Sequence, residues 1–306
     1  VDLVERIAAR RGGFLLFALT PPRASTPPQD AQAVADVTVE RLRPLGLDGL
    51  ILYDLADESG RTGQPRPFPF LPTLDPTDYL DRHLTTWHAP VIVYRATAKY
   101  REDQVRDWVA DQDPRSRLAV FVGASTSEAH DGIALRRAQQ IRAETSPGLL
   151  LGAVAIPERH RRRGDEHLRM IEKQSVGCSF FVTQIVYDLD AAKNLVSDYA
   201  YECRTRRIDP VPLVFTSSVC GSMRTVEFLR WLGVDVPRWV ENDLRHARDI
   251  LDASVDHAEA ILADLMSFCD GLGVPYGISI ESVSIRRAEI EASVGLAARM
   301  HGRLTR

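Results

Sequence analysis

Three carboxylates, Asp54, Asp57 and Glu58, lie within five residues of one another behind an apolar run. Neighbouring carboxylates raise one another's pKa, so such a group could supply a general acid. The alternative is a solvated acidic loop paired with Arg61. A second cluster, Arg159-His160-Arg161-Arg162-Arg163, precedes a helix expected to begin near Asp165. Cations at a helix start suit phosphate or carboxylate groups, although a solvated basic face needs no ligand. Gln184 follows the apolar run Phe180-Phe181-Val182, where an amide is a candidate ligand contact. Ser217, Ser218 and Cys220 lack a G-x-S-x-G elbow and a nearby His, so they do not read as a nucleophile. The eight His have no H-x-x-x-H or H-x-H spacing, and no metal site is expected.

These residues need elements to hold them. Short apolar runs rich in β-branched residues predict buried parallel strands at Phe14–Leu19, Gly49–Asp54, Val91–Tyr94, Leu118–Val122, Leu149–Ala155, Ser179–Thr183, Pro212–Thr216 and Tyr276–Ile280. Amphipathic stretches alternate with them: Asp30–Leu45, Pro76–Trp87, Arg101–Asp111, Ala129–Thr145, Gly164–Ser175, Leu189–Arg206, Arg224–Leu232 and Arg286–Leu304. An extra helical stretch, Pro237–Cys269, precedes the last strand. Strict βα alternation over 306 residues predicts an α/β fold, a single (β/α)8 TIM barrel domain spanning residues 1–306. An open dinucleotide-binding sheet is disfavoured, because the first strand runs into Thr20-Pro21-Pro22-Arg23 without a G-x-G-x-x-G turn. The Pro-rich stretch from Gly63 to Pro76 reads as an exposed loop. In a barrel, chemistry sits where the strands end. That places Tyr53, Asp57, Glu58, Glu158 to His160, Gln184, Ser217, Ser218, Glu281 and Ser282 near one rim.

Composition bounds the partners. With 38 Lys plus Arg against 42 Asp plus Glu, the net charge of −4 supplies no general attraction for nucleic acid. No apolar run approaches the roughly 20 residues of a membrane span. The N-terminus lacks a secretory layout, and four scattered Cys suit a reducing cytoplasm.

From about Phe14 to Leu296 the chain resembles the methylenetetrahydrofolate reductase family. Ala155-Ile156-Pro157-Glu158-Arg159-His160 resembles the family's A-Y-P-E-x-H, and Lys173, Gly177 and Phe181-Val182-Thr183-Gln184 its K-x-x-x-G and I-T-Q. Tyr187-Asp188, Phe228, Gly233-Val234 and Pro237 continue the match, and Arg286-Arg287-Ala288-Glu289 resembles N-R-A-E. Phe17-Ala18-Leu19-Thr20-Pro21-Pro22-Arg23 stands where the family has F-E-F-F-P-P-R.

The resemblance implies NAD(P)H-dependent reduction of 5,10-methylenetetrahydrofolate to 5-methyltetrahydrofolate through bound flavin. It implies that Gln184 contacts the reduced folate and that His160 and Lys173 contact the flavin; Tyr53 and Arg287 are further candidate substrate contacts, and Arg159 and Ala155 further candidate cofactor contacts. Several positions depart from the pattern. The family's acid, a Glu that opens the folate five-membered ring, falls at Ala18. Its R-G-D falls at Val122-Gly123-Ala124, and its stacking Tyr at Ile156. An aromatic early in the seventh loop is replaced by Ser222 or Met223. Asp57 or Glu58 is then the expected acid, and FAD is bound differently or not at all. The alternatives are one-carbon or methyl transfer on a reduced folate without hydride chemistry, and folate binding without turnover.

Overall fold

The computed structural model describes residues 2–57, 66–123 and 132–305. Eight parallel strands close into a barrel in chain order: β1 (Phe14–Leu19), β2 (Gly49–Leu52), β3 (Val91–Ala96), β4 (Arg117–Val122), β5 (Leu151–Ala155), β6 (Cys178–Ile185), β7 (Leu213–Ser218) and β8 (Tyr276–Glu281). Around them run α1 (Leu3–Ala8), α2 (Pro28–Leu42), α3 (Pro76–His83), α4 (Glu102–Ala110), α5 (Leu135–Thr145), α6 (Pro157–Arg163), α7 (Glu166–Ser175), α8 (Leu189–Arg206), α9 (Met223–Trp231), α10 (Arg238–His246), α11 (Ile250–Leu272) and α12 (Arg287–Leu304). The expected alternation is therefore the observed one.

Three differences have local causes. The expected helix after β5 is two helices, because Gly164 adopts a left-handed conformation (φ 71°) and stops α6. The basic run Arg159–Arg163 does precede a helix start, that of α7 with Asp165 as its N-cap, but it also lies inside α6, whose last turn it fills. Cations there complement the negative end of the helix dipole and do not form an anion cradle. The long stretch before β8 breaks at Ala247, and Asp249 recaps it by accepting from the Leu251 and Asp252 amides. The short helix α1, which the periodicity did not suggest, sends Leu3 and Ile7 into the interior cluster and closes the barrel floor.

Strand side chains divide by parity. Phe14, Leu16, Ala18, Ile51, Ile92, Tyr94, Leu118, Val120, Phe180, Val182 and Val214 fill the barrel. Their neighbours Leu15, Phe17, Leu50, Leu52, Phe121, Phe181 and Phe215 face the helices. Burial on both faces explains why the strands read as unbroken apolar runs. Two glycines make room for the interior rings. A Cβ on Gly277 would fall 2.0 Å from the Phe14 ring, and one on Gly152 2.4 Å from Phe180.

The described part of the Pro-rich stretch is more than an exposed loop. The Ala24 amide donates to the Pro72 carbonyl and the Leu74 amide to the Pro22 carbonyl, both at 2.8 Å. At its other end Phe68 meets Phe228 edge-on at 5.3 Å, and the Arg66 guanidinium lies over Phe70, Phe228 and Trp231. The segment therefore links the loop after β1 to α9.

Candidate functional site

The rim is built around the last residue of β8. Glu281 pairs in register with Ala18 on β1 and with Ser218 on β7. Paired residues of parallel strands share a face, so Glu281 projects inward with Ala18. The Tyr53 hydroxyl donates to Glu281 Oε2 at 2.5 Å. Tyr94, from β3, packs edge-on against Tyr53 with ring centroids 4.9 Å apart. Burial pushes the Glu281 carboxyl up to about 7, opposed only by the Tyr53 hydrogen bond. Burial and the nearby carboxyl hold Tyr53 well above its ordinary value, so it remains a donor. Tyr94 is pushed up for the same two reasons. Among the described residues the Glu281 side chain has no other hydrogen bond, which leaves its second oxygen for a substrate.

Next to this carboxyl lie three buried hydroxyls with no partner among the described residues: Thr216 and Ser218 on β7, and Ser279 on β8. Register pairs Thr216 with Ser279 and Ser218 with Glu281, and all three share parity with inward residues. Buried hydroxyls are normally matched by protein, water or ligand. The β7–β8 side of the rim is thus polar, while Tyr53 and Tyr94 form an aromatic wall opposite.

Gln184 lies near the end of β6, two strands from Glu281, or roughly 10 Å at ordinary strand spacing. Its amide Nε2 donates to the Leu232 carbonyl at 2.8 Å, so the side chain is anchored to the turn after α9. Glu158, at the start of α6, reaches the same turn, accepting from the Asp235 amide at 3.4 Å. Its Oε2 is buried without a partner, and burial pushes the carboxyl up to about 7.

The structure brings Tyr53 and Gln184 to this rim, and the other described site candidates have the following places. Asp57 is exposed, and Glu58 lies outside the described residues. Asp54 is buried and structural: it accepts from the Ala96 amide and the Tyr100 hydroxyl, each at 2.9 Å, and pairs with Lys99. Arg287 is exposed at the start of α12, 3.5 Å from Glu291. Arg159 pairs with Glu166 at 3.0 Å, and Glu166 also accepts from the Ile156 amide. Lys173 donates to the Val154 carbonyl at 2.7 Å, and burial pulls its pKa down. His160 hydrogen-bonds Asp198 of α8 at 3.0 Å, and Ala155 is wholly buried among the outward-facing residues. These side chains are committed to separate partners in the helical layer, and Val122 and Gly123 provide neither an ion pair nor a carboxylate. They do not fit a flavin cradle.

The sequence places Glu281 at the rim as a strand-end residue but gives no sign of its partners. Its pairing with Ala18 joins the two ends of the chain and exists only in the closed barrel. The same is true of His160, His167 and Asp198, which the fold collects although their spacing suggests no metal site.

No family model matches the chain, and no curated protein matches it. Among solved structures, an uncharacterized protein from Clostridium thermocellum that binds two copies of 5-methyl-5,6,7,8-tetrahydrofolic acid matches with a TM-score of 0.86 at 39% identity, covering 98% of this chain and 99% of that one. A GH10 xylanase from Thermobacillus composti matches with a TM-score of 0.49 at 12% identity, over 98% of this chain and 100% of that one. A dihydropteroate synthase from Xanthomonas albilineans matches with a TM-score of 0.44 at 13% identity, over 97% of each. Neither of these two distant barrels bears on the site.

Proposed function

Because the chain belongs to the family of the Clostridium thermocellum protein that binds 5-methyltetrahydrofolate, we propose that it binds a reduced folate at the C-terminal rim of its barrel and reduces 5,10-methylenetetrahydrofolate there. The observation that carries the reading is the register pair Ala18–Glu281. The position that resembles the reductase acid is a methyl group, and the residue beside it on the next strand is a buried carboxyl that burial keeps protonated near neutrality.

In this reading the pterin spans the rim between Glu281 and Gln184. Tyr53 holds one oxygen of Glu281, and the second donates its proton to N10 as the bond from the methylene carbon to N10 breaks. The electron pair of that bond goes to N10, and the carbon becomes an iminium on N5. A reduced nicotinamide dinucleotide, NADH or NADPH, supplies the hydride that forms the new C–H bond and is oxidised in doing so. Water then returns a proton to Glu281. No step passes through FAD, since the residues expected to hold it are engaged elsewhere. An acid poised near the working pH contributes about 10²–10⁴ in rate.

The relative binds a folate whose methyl group is already in place. That fits a bound product, and it equally fits a folate-binding protein without turnover or a methyl-transfer enzyme. NADH and NADPH oxidation, followed at 340 nm with and without methylenetetrahydrofolate, separates them. Folate-dependent oxidation by colourless protein, with 5-methyltetrahydrofolate as product, supports direct reduction. Folate binding with no nicotinamide oxidation, even with added flavin, eliminates it.

A further inference from the structure

We propose that His160, His167 and Asp198 form a binding site for a divalent transition-metal ion of the zinc class, clasping α6 and α7 onto α8. The three residues come from three helices, and one ligand atom from each lies within 4.8 Å of the other two. His160 Nε2 already lies 3.0 Å from Asp198 Oδ2, and the two imidazoles meet edge-to-face with centroids 5.2 Å apart.

His160 is 5% exposed, yet its buried Nδ1 has no partner among the described residues, and neither has the buried Nδ1 of His167. Asp198 is bonded to one ring nitrogen only. One buried and one half-buried imidazole are therefore gathered around one carboxylate, with a nitrogen of each unmatched among the described residues. A bound cation gives such a cluster a partner that the protein does not.

The donor set selects the metal. Two imidazoles and one carboxylate suit a borderline ion such as Zn²⁺, whereas Mg²⁺ and Ca²⁺ favour oxygen ligands. Tetrahedral bonds of about 2.1 Å put donors about 3.4 Å apart, so the cluster must close by roughly 1 Å or more. The Asp198 side chain is 54% exposed, which allows that adjustment and opens a path for the ion and a fourth, water ligand. The proposal stands apart from the folate reading, because these side chains lie in the helical layer.

Chelator-treated full-length protein titrated with Zn²⁺ by calorimetry, and with Co²⁺ by absorption, tests the site. One equivalent should bind. The cobalt form should show tetrahedral visible bands without thiolate charge transfer, which distinguishes this site from the four buried cysteines. His167→Ala and Asp198→Asn should each weaken binding at least tenfold. Asp198→Asn alters an exposed group, so its far-UV spectrum should match the parent even if the His variant folds poorly. Absence of saturable binding, a thiolate spectrum, or unchanged affinity in Asp198→Asn overturns the assignment.

Discussion

Replacing Glu281 by Gln should separate stability from turnover. The carboxyl is pushed from an ordinary 4.5 to about 7 by burial. At about 1.4 kcal/mol per unit, ionising it inside the fold costs about 3 kcal/mol. The sign follows from proton counts. In the unfolded chain Glu281 is ionised above about 4.5, while in the fold it keeps its proton until about 7. The folded state holds the extra proton in that window, so rising pH erodes stability from about 4.5 to 7 and no further. Gln keeps the shape, can still accept from Tyr53, and never ionises. Urea unfolding of parent and variant at pH 5, 6, 7 and 8 should therefore show the variant gaining relative to the parent as pH rises, levelling above 7 at about 3 kcal/mol. Glu158 is also pushed up to about 7, but it is present in both proteins and cancels. Methylenetetrahydrofolate turnover should meanwhile fall by about 10²–10⁴. A stability difference that does not change with pH would refute the buried, protonated carboxyl and the acid role built on it.

Tyr53→Phe removes the hydrogen bond that lowers the Glu281 pKa, so the alkaline limb of the pH–rate profile should move upward; an unmoved limb means Tyr53 does not tune the acid. Gln184→Ala should weaken tetrahydrofolate binding about tenfold, the worth of one hydrogen bond, with far-UV circular dichroism retained, and unchanged affinity in a titration would remove Gln184 from the site. Gly277→Ala should destabilise by about 1–3 kcal/mol or more in urea, because the new methyl collides with the Phe14 ring in the barrel interior; parent-like stability would show that the floor is less tightly filled than described.

The barrel was legible in the sequence because each of its strands is buried on both faces, and each helix on one. Runs such as Leu118–Val122 and stretches such as Leu189–Arg206 carry that burial in their local order, and the α/β alternation leaves few ways to close the sheet. Gln184 and Tyr53 were legible for a related reason: each follows an apolar strand, and strand ends form the rim. The acid was not. Ala18 and Glu281 are 263 positions apart, and nothing local to either says that β1 and β8 are neighbours in a given register. The same limit hid the partners of Lys173, Arg159 and His160, since a cation near a strand end looks identical whether it faces a cavity or a neighbouring carbonyl. Periodicity records which face of an element is buried. What that face meets, and so the pKa of a carboxyl or the company of an imidazole, is set by contacts distant in sequence that exist only in the closed barrel.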